Sequence, residues 1–206
     1  MSERGRFIVL EGGDGAGKSR LLDALGDSLR ARGRDVVLTR EPGGTPLGEV
    51  VREIILMPQP RDAVAELLLF EAARAQLVAE VVRPALERGA IVLCDRFAAS
   101  SVAYQGFGRG IPREVVERAN DVATGGLAPH LTLLLDIPPE EGLRRRADGG
   151  GENHFEREAL DFHTRVREGF LTLAAEDTER WRVLDAGQPF DEVHEAALAA
   201  IDDVIA

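Results

Sequence analysis

Short apolar runs punctuate the chain at residues 7–11, 36–39, 91–95, 131–136 and 182–185. They lack the strict alternation of a half-exposed strand and suit strands buried on both faces. Between them the apolar positions return at helical spacing, so strand and helix alternate. The pattern predicts an α/β domain: a five-stranded parallel sheet with helices on both faces and ligands at the carboxyl ends of the strands. Three of the runs end on an acid, at Asp95, Asp136 and Asp185. Residues 64–87 read as one long helix, with Leu67, Leu68, Val78, Val81, Val82 and Leu86 supplying much of its apolar surface. That much apolar surface suits either a helix-packed homodimer or a purely internal role. Residues 113–124, 156–177 and 190–205 form further amphipathic helices. Residues 147–153 have no periodicity and contain three successive glycines, directly after Arg144-Arg145-Arg146. They read either as a mobile basic flap or as a plain surface loop. No repeat, linker or second domain interrupts residues 1–206.

The first strand and helix bracket Gly12-Gly13-Asp14-Gly15-Ala16-Gly17-Lys18-Ser19. This is the phosphate-binding loop spacing, a glycine, four residues, then Gly-Lys-Ser, in its required strand-before and helix-after setting. The glycines let consecutive backbone N–H groups turn toward phosphate oxygens, and the helix N-terminus adds its positive end. The expected guest is a nucleoside triphosphate, which makes the architecture a P-loop NTPase-type three-layer sandwich. A phosphate site also favours the flap reading of residues 144–157. Of the 25 basic residues, Lys18 is the only lysine. A compact ammonium fits inside a loop of backbone donors where a planar guanidinium does not.

Composition narrows the partners. A formal net charge of −11 disfavours a nucleic-acid polymer, whose binding draws on many neutralised phosphates, although a local arginine cluster can still hold a small anion. The first residues lack the apolar core of a signal peptide, and no apolar run reaches membrane-spanning length, so a cytoplasmic location without membrane attachment is expected. The single cysteine, Cys94, excludes an intrachain disulfide and reads as a buried bystander. His130, His163 and His194 show no metal-ligand spacing.

Two further stretches add chemistry: Thr39-Arg40-Glu41-Pro42-Gly43-Gly44-Thr45, and Asp95-Arg96-Phe97-Ala98-Ala99-Ser100-Ser101-Val102-Ala103-Tyr104-Gln105-Gly106. Together with the Asp14-containing loop, in this order and spacing, they resemble the thymidylate kinases, nucleoside monophosphate kinases that phosphorylate dTMP. The resemblance spans essentially the whole chain. It implies that Lys18 and the loop amides bind the ATP phosphates, and that Ser19, with Asp95 through water, holds Mg²⁺. It implies that Arg52 and Arg96 grip the acceptor 5′-phosphate, a task suited to forked guanidiniums. By the same resemblance Phe70 stacks on thymine and Arg74 donates to its O4. Ser100, Ser101, Tyr104 and Gln105 face base and sugar, Tyr104 crowds a ribose 2′-hydroxyl, and Asp14 lies near the 3′-hydroxyl. Periodicity alone makes Phe70 core and Arg74 surface. Family members that carry a catalytic arginine in the phosphate loop have it where this chain has Gly15, which points to the lid arginines Arg144, Arg145 and Arg146, with Arg157 a further candidate. Where relatives commonly carry a lid arginine this chain has His154, a weaker cation at neutral pH. Asp185-Ala186-Gly187-Gln188 resembles the loop flanking adenine.

Other readings of the same features are a small-molecule kinase of this architecture with another acceptor, a GTP-dependent switch, and a non-catalytic nucleotide-binding module. The switch needs a second lysine in its guanine motif, which this chain lacks.

Overall fold

The computed structural model describes residues 5–148 and 160–205, and for residues 146–148 the backbone alone. The elements are β1 (Arg6–Gly12), α1 (Lys18–Ala31), β2 (Val36–Arg40), α2 (Pro46–Leu56) and α3 (Ala63–Leu77), followed by α4 (Arg83–Glu87), β3 (Ile91–Asp95), α5 (Ala98–Ser101) and α6 (Arg113–Thr124). Then come β4 (Leu131–Asp136), α7 (Pro139–Asp148), α8 (Leu160–Glu176), β5 (Trp181–Asp185) and α9 (Phe190–Ile205). Five parallel strands form one sheet in the order β2-β3-β1-β4-β5. Every strand run expected from the apolar pattern is present within a residue at its ends.

Successive residues of β1 point to opposite faces of the sheet, and both faces are covered. Ile8 and Leu10 pack with Leu21, Leu25 and Leu29 of α1 and Ala197 and Ile201 of α9. Phe7 and Val9 pack the other way, with Leu77, Val78 and Val82. Burying a side chain of this size contributes roughly 1.5–3 kcal/mol, so neither face could be left bare. Cys94 is part of the second cluster and is fully buried.

Local chemistry explains where the helices begin. Thr45 Oγ1 accepts from Gly48 N at 3.0 Å, with Pro46 at the first helical position of α2. Asp62 Oδ1 accepts from Val64 N at 2.9 Å to start α3. The expected single helix over residues 64–87 is a continuous rod interrupted by a π-helical turn, Val78–Val82, between α3 and α4. Pro84 sits just after that turn, and its ring has no N–H to continue an α-helical ladder. A second π-helical stretch, Val102–Gly108, extends α5.

Parallel pairing brings the strand ends to one edge. Arg40 is in register with Asp95, and Asp136 with Asp185. Leu10 is also in register with Asp95, so β1 runs on from that level into the glycine loop beside the end of β3. The chemistry collects along this edge.

Candidate active site

The loop after β1 opens over a cavity of about 390 Å³ lined by Asp14, Gly15, Gly17, Lys18, Ser19, Arg20, Arg40, Glu41, Arg52, Asp95 and Arg96. Five cations against three acids make this a basic spot in an acidic molecule. Lys18 Nζ donates to the carbonyls of Gly12 at 3.1 Å and Gly13 at 2.8 Å, so the ammonium is drawn inside the loop. Burial, seconded by Arg96, pulls its pKa down to about 8 against the opposing pull of Asp95 and Asp14. Ser19 Oγ donates to Asp95 Oδ2 at 2.6 Å, which pairs a hydroxyl and a carboxylate across two elements.

Gly15 lies where nothing larger fits. Its φ is +75°, and a Cβ there would meet the Gly142 carbonyl oxygen at 1.9 Å. Reciprocally, a Cβ on Gly142 would meet the Asp14 carbonyl oxygen at 2.3 Å. The first turns of α7 are thus seated directly against the phosphate loop at Gly142.

A second cavity, of about 170 Å³, lies beside the first and is lined by Asp14, Glu41, Arg52, Glu66, Phe70, Arg96, Ser100, Ser101, Tyr104, Gln105, Arg109 and Phe162, among others. The two cavities share Asp14, Glu41, Arg52 and Arg96. Arg96 stands at this junction with φ +71°, a conformation that costs a non-glycine residue on the order of 1–3 kcal/mol. Four hydrogen bonds hold it there: Nη1 to Gly12 O at 3.1 Å and Ser100 Oγ at 3.3 Å, and Nη2 to Asp14 Oδ1 at 2.6 Å and Tyr104 Oη at 3.1 Å. Burial opposes its charge, but the surrounding Tyr104, Asp14, Asp95 and Glu11 outweigh burial and hold its pKa above the usual value. Arg52, from α2, donates to Pro42 O at 3.1 Å. Burial, then the neighbouring Arg40, lowers its pKa against the opposing pull of Glu49 and Asp95.

Beneath the second cavity lies an ionic cluster that periodicity did not reveal. Arg74, expected on the surface, is 1% exposed. It pairs with Glu41 at 2.8 Å and with Glu71 at 2.5 Å, and it donates further to Ser101 Oγ at 3.1 Å, Asn120 Oδ1 at 2.7 Å and Phe97 O at 3.2 Å. Every nitrogen of the guanidinium is thereby engaged inside the protein. Arg74 does not line the cavity, whereas Ser101, which it holds, does. In the free protein the Arg74 N–H groups, which the resemblance assigns to the base, are taken up by protein acceptors. Phe70, which periodicity alone puts in the core and the resemblance puts against the base, is half-buried and lines the cavity. Their burial is the reverse of what periodicity alone gives, because Glu41 and Glu71, invisible to a hydrophobicity pattern, pair with the arginine inside the protein.

Sequence reasoning also passed over Glu11. It is fully buried at the end of β1 and accepts from Phe97 N at 2.9 Å, Ser100 N at 3.2 Å and Ser100 Oγ at 2.6 Å. It caps from a distance the helix that carries Ser100, Ser101, Tyr104 and Gln105. Burial raises its pKa, with Arg96 the main opposing influence. A charged residue breaking an apolar strand one position before the glycine loop was the available signal.

Of the expected lid residues, Arg146, His154 and Arg157 lie outside the residues whose side chains are described. Arg144 and Arg145 both hydrogen-bond Glu141, at 2.7 and 2.9 Å, and hold its carboxyl down to about 2. Arg145 Nη1 also donates to Ala186 O at 2.8 Å, tying α7 to the loop after β5. In that loop the Asp185 carboxylate accepts from Gly187 N at 2.8 Å and Gln188 Nε2 at 2.9 Å.

No group of three or more His, Cys, Asp or Glu side chains suited to a metal occurs among the described residues. A cation held by Ser19, Asp95 and substrate oxygens needs no such cluster, and the donor set here, all hard oxygens, fits a magnesium ion.

A family model described as thymidylate kinase matches residues 10–197. The thymidylate kinase of Deinococcus radiodurans is 51% identical over 201 residues, covering 97% of this chain and 98% of its own. That of Desulfovibrio desulfuricans is 49% identical over 205 residues, covering 95% and 94%. The crystal structure of the Ehrlichia chaffeensis thymidylate kinase superposes with a TM-score of 0.80 at 32% identity, over 96% of this chain and 99% of that one. With two cavities meeting at paired arginines beside a phosphate loop, and with relatives matched almost end to end, the chain belongs to the thymidylate kinase family.

Proposed function

We propose that the two joined cavities hold the two substrates of one phosphoryl transfer, ATP over the glycine loop and dTMP between Phe70, Tyr104 and Gln105, with dTDP and ADP as products. The observation that carries this reading is the junction: Arg52 and Arg96 line both cavities, so a phosphate placed there faces the loop that cradles the donor. The acceptor phosphate oxygen attacks the γ-phosphorus, the bond to the bridging oxygen breaks, and ADP leaves with that electron pair. The protein's share is positioning and charge neutralisation. The loop amides and Lys18 take the donor phosphates. Arg52 and Arg96 orient the acceptor, and an arginine of α7 or of the segment after it meets the charge developing on the transferred group. Ser19 and Asp95 would hold Mg²⁺, whose contribution is to offset the charge of the donor phosphates. Asp14, paired with Arg96 in the free protein, is placed to exchange that partner for a sugar hydroxyl when substrate arrives.

A panel of acceptors decides the assignment. With Mg-ATP, ADP release is expected to be fastest by far with dTMP, against dUMP, dCMP, dGMP, AMP and thymidine; preference for any other acceptor refutes it. A pH effect follows from Lys18. Its pKa in the free protein is about 8, and a triphosphate beside it favours the charged form. Binding of Mg-ATP is therefore expected to take up little proton at about pH 7 and a growing fraction as the pH passes about 8, with affinity falling above that point. Calorimetry in buffers of different ionisation enthalpy reads this directly, and uptake that does not change with pH contradicts it.

The protein is further proposed to work as a cytoplasmic homodimer, away from membranes and nucleic acid polymers. Among the described residues no helix is long and apolar enough to cross a membrane. The dimer reading is supported by exposed apolar side chains on two helices that pack together. Val64 and Leu68 of α3 are 48% and 58% exposed, and Val122 of α6 is 86% exposed. Sedimentation of the purified protein at a single-chain mass removes that reading.

A further inference from the structure

Glu66, in the first turn of α3, belongs to no motif of the sequence, yet it lines the second cavity beside Phe70, Gln105, Arg109 and Phe162. Its Oε1 accepts from Gln105 Nε2 at 2.8 Å. Its Oε2 faces Arg109 Nη2 at 3.5 Å, and the Arg109 guanidinium lies 4.7 Å from the centre of the Phe162 ring. Gln105 itself is nearly buried, and among the described residues nothing donates to its Oε1.

An amide side chain has almost the same shape either way round but opposite polarity at its two ends. A carboxylate can only accept, so it settles which end faces it. Reversing Gln105 would set two acceptors against each other in a poorly solvated place, and the stack on Phe162 keeps Arg109 beside Glu66 as its counter-ion. We infer that Glu66 is a positioning residue for substrate choice: it fixes Gln105 with Nε2 inward and Oε1 as the acceptor offered to the guest. The inference rests on the dTMP reading of this cavity. A thymine ring carries an N–H at position 3, which this acceptor satisfies. A cytosine ring carries a lone pair there, and acceptor then meets acceptor. A mismatch of this kind in a desolvated site is worth roughly tenfold to a hundredfold in selectivity.

Glu66→Gln tests it, because the new amide keeps the shape but can donate or accept, which frees Gln105 to turn over. The ratio of kcat/KM for dTMP over dCMP is expected to fall about tenfold or more. The fall comes from a higher KM for dTMP, more than from kcat, and from a gain in dCMP turnover. The paired exchange Glu66→Gln with Gln105→Glu puts an acceptor-only group back at 105 opposite a donor at 66, and the ratio is expected to recover toward that of the unaltered protein. Parallel losses on both substrates in the single variant, with the ratio unmoved, overturn the inference. So does a folded double variant that fails to recover the ratio, and this second measurement stands even where the single variant does not fold. An unaltered protein that shows no preference for dTMP strikes at the cavity assignment instead, so the two failures are told apart.

Discussion

Lys18→Ala lowers kcat by about a thousandfold or more while leaving the fold intact, as measured by steady-state ADP release and thermal melting. The ammonium is the sole compact cation of the cleft and sits within the loop, 2.8 Å from the Gly13 carbonyl. The other cations of this cavity are guanidiniums, which need forked partners and more room. Lys18→Arg is accordingly expected to fail as well. The effect on stability is opposite in sign. Burial and Arg96 lower the pKa of Lys18 from 10.5 to about 8, so below pH 8 the charged amine costs the folded state on the order of 3 kcal/mol. Removing it should leave the melting temperature level or raise it. A loss of activity that tracks a loss of fold would contradict the role given to this residue.

Arg74→Ala has the largest expected effect on stability, about 3–5 kcal/mol, or roughly 10 °C in melting temperature for a chain of this length. The substitution strands the carboxylates of Glu41 and Glu71 in a place where both are nearly inaccessible to water. It also removes the donors to Ser101, Asn120 and the Phe97 carbonyl. The Glu41 carboxyl is already pushed up to about 7 by burial, with Arg74 the chief influence holding it down. Without the guanidinium it rises further. A folded-state pKa above the unfolded value stabilises at low pH, and that stabilisation is lost as the pH climbs through the folded value. The deficit of Arg74→Ala is therefore expected to be smaller at about pH 5 than at about pH 8, and a deficit that is the same at both is evidence against the cluster as its source. Impaired use of dTMP should accompany the instability, because Ser101 loses its support. Impaired use with full stability would return Arg74 to direct contact with the base.

The apolar pattern determined the strands, their parallel pairing and the covering helices, because burial on both faces of a sheet leaves short apolar runs, and their alternation with helical segments fits parallel crossovers. The phosphate loop was equally legible, since its function lies in backbone geometry encoded by glycines at fixed spacing, with one lysine and one serine after them. Family resemblance brought Arg52, Phe70, Arg96, Ser100, Ser101, Tyr104 and Gln105 to notice, and the fold places all seven around one cavity. What the chain order did not disclose is which charges face each other. Glu11, Glu41, Glu66 and Glu71 come from β1, the turn after β2, and α3, and their partners lie 3 to 89 residues away. The π-helical turns escaped notice too, since the apolar spacing of residues 64–87 reads as one helix with or without such a turn. Hydrophobic burial has a period and can be read from a string of letters. A buried ion pair has none, for its energy depends on desolvation and on a distance that exist only once the chain has closed upon itself.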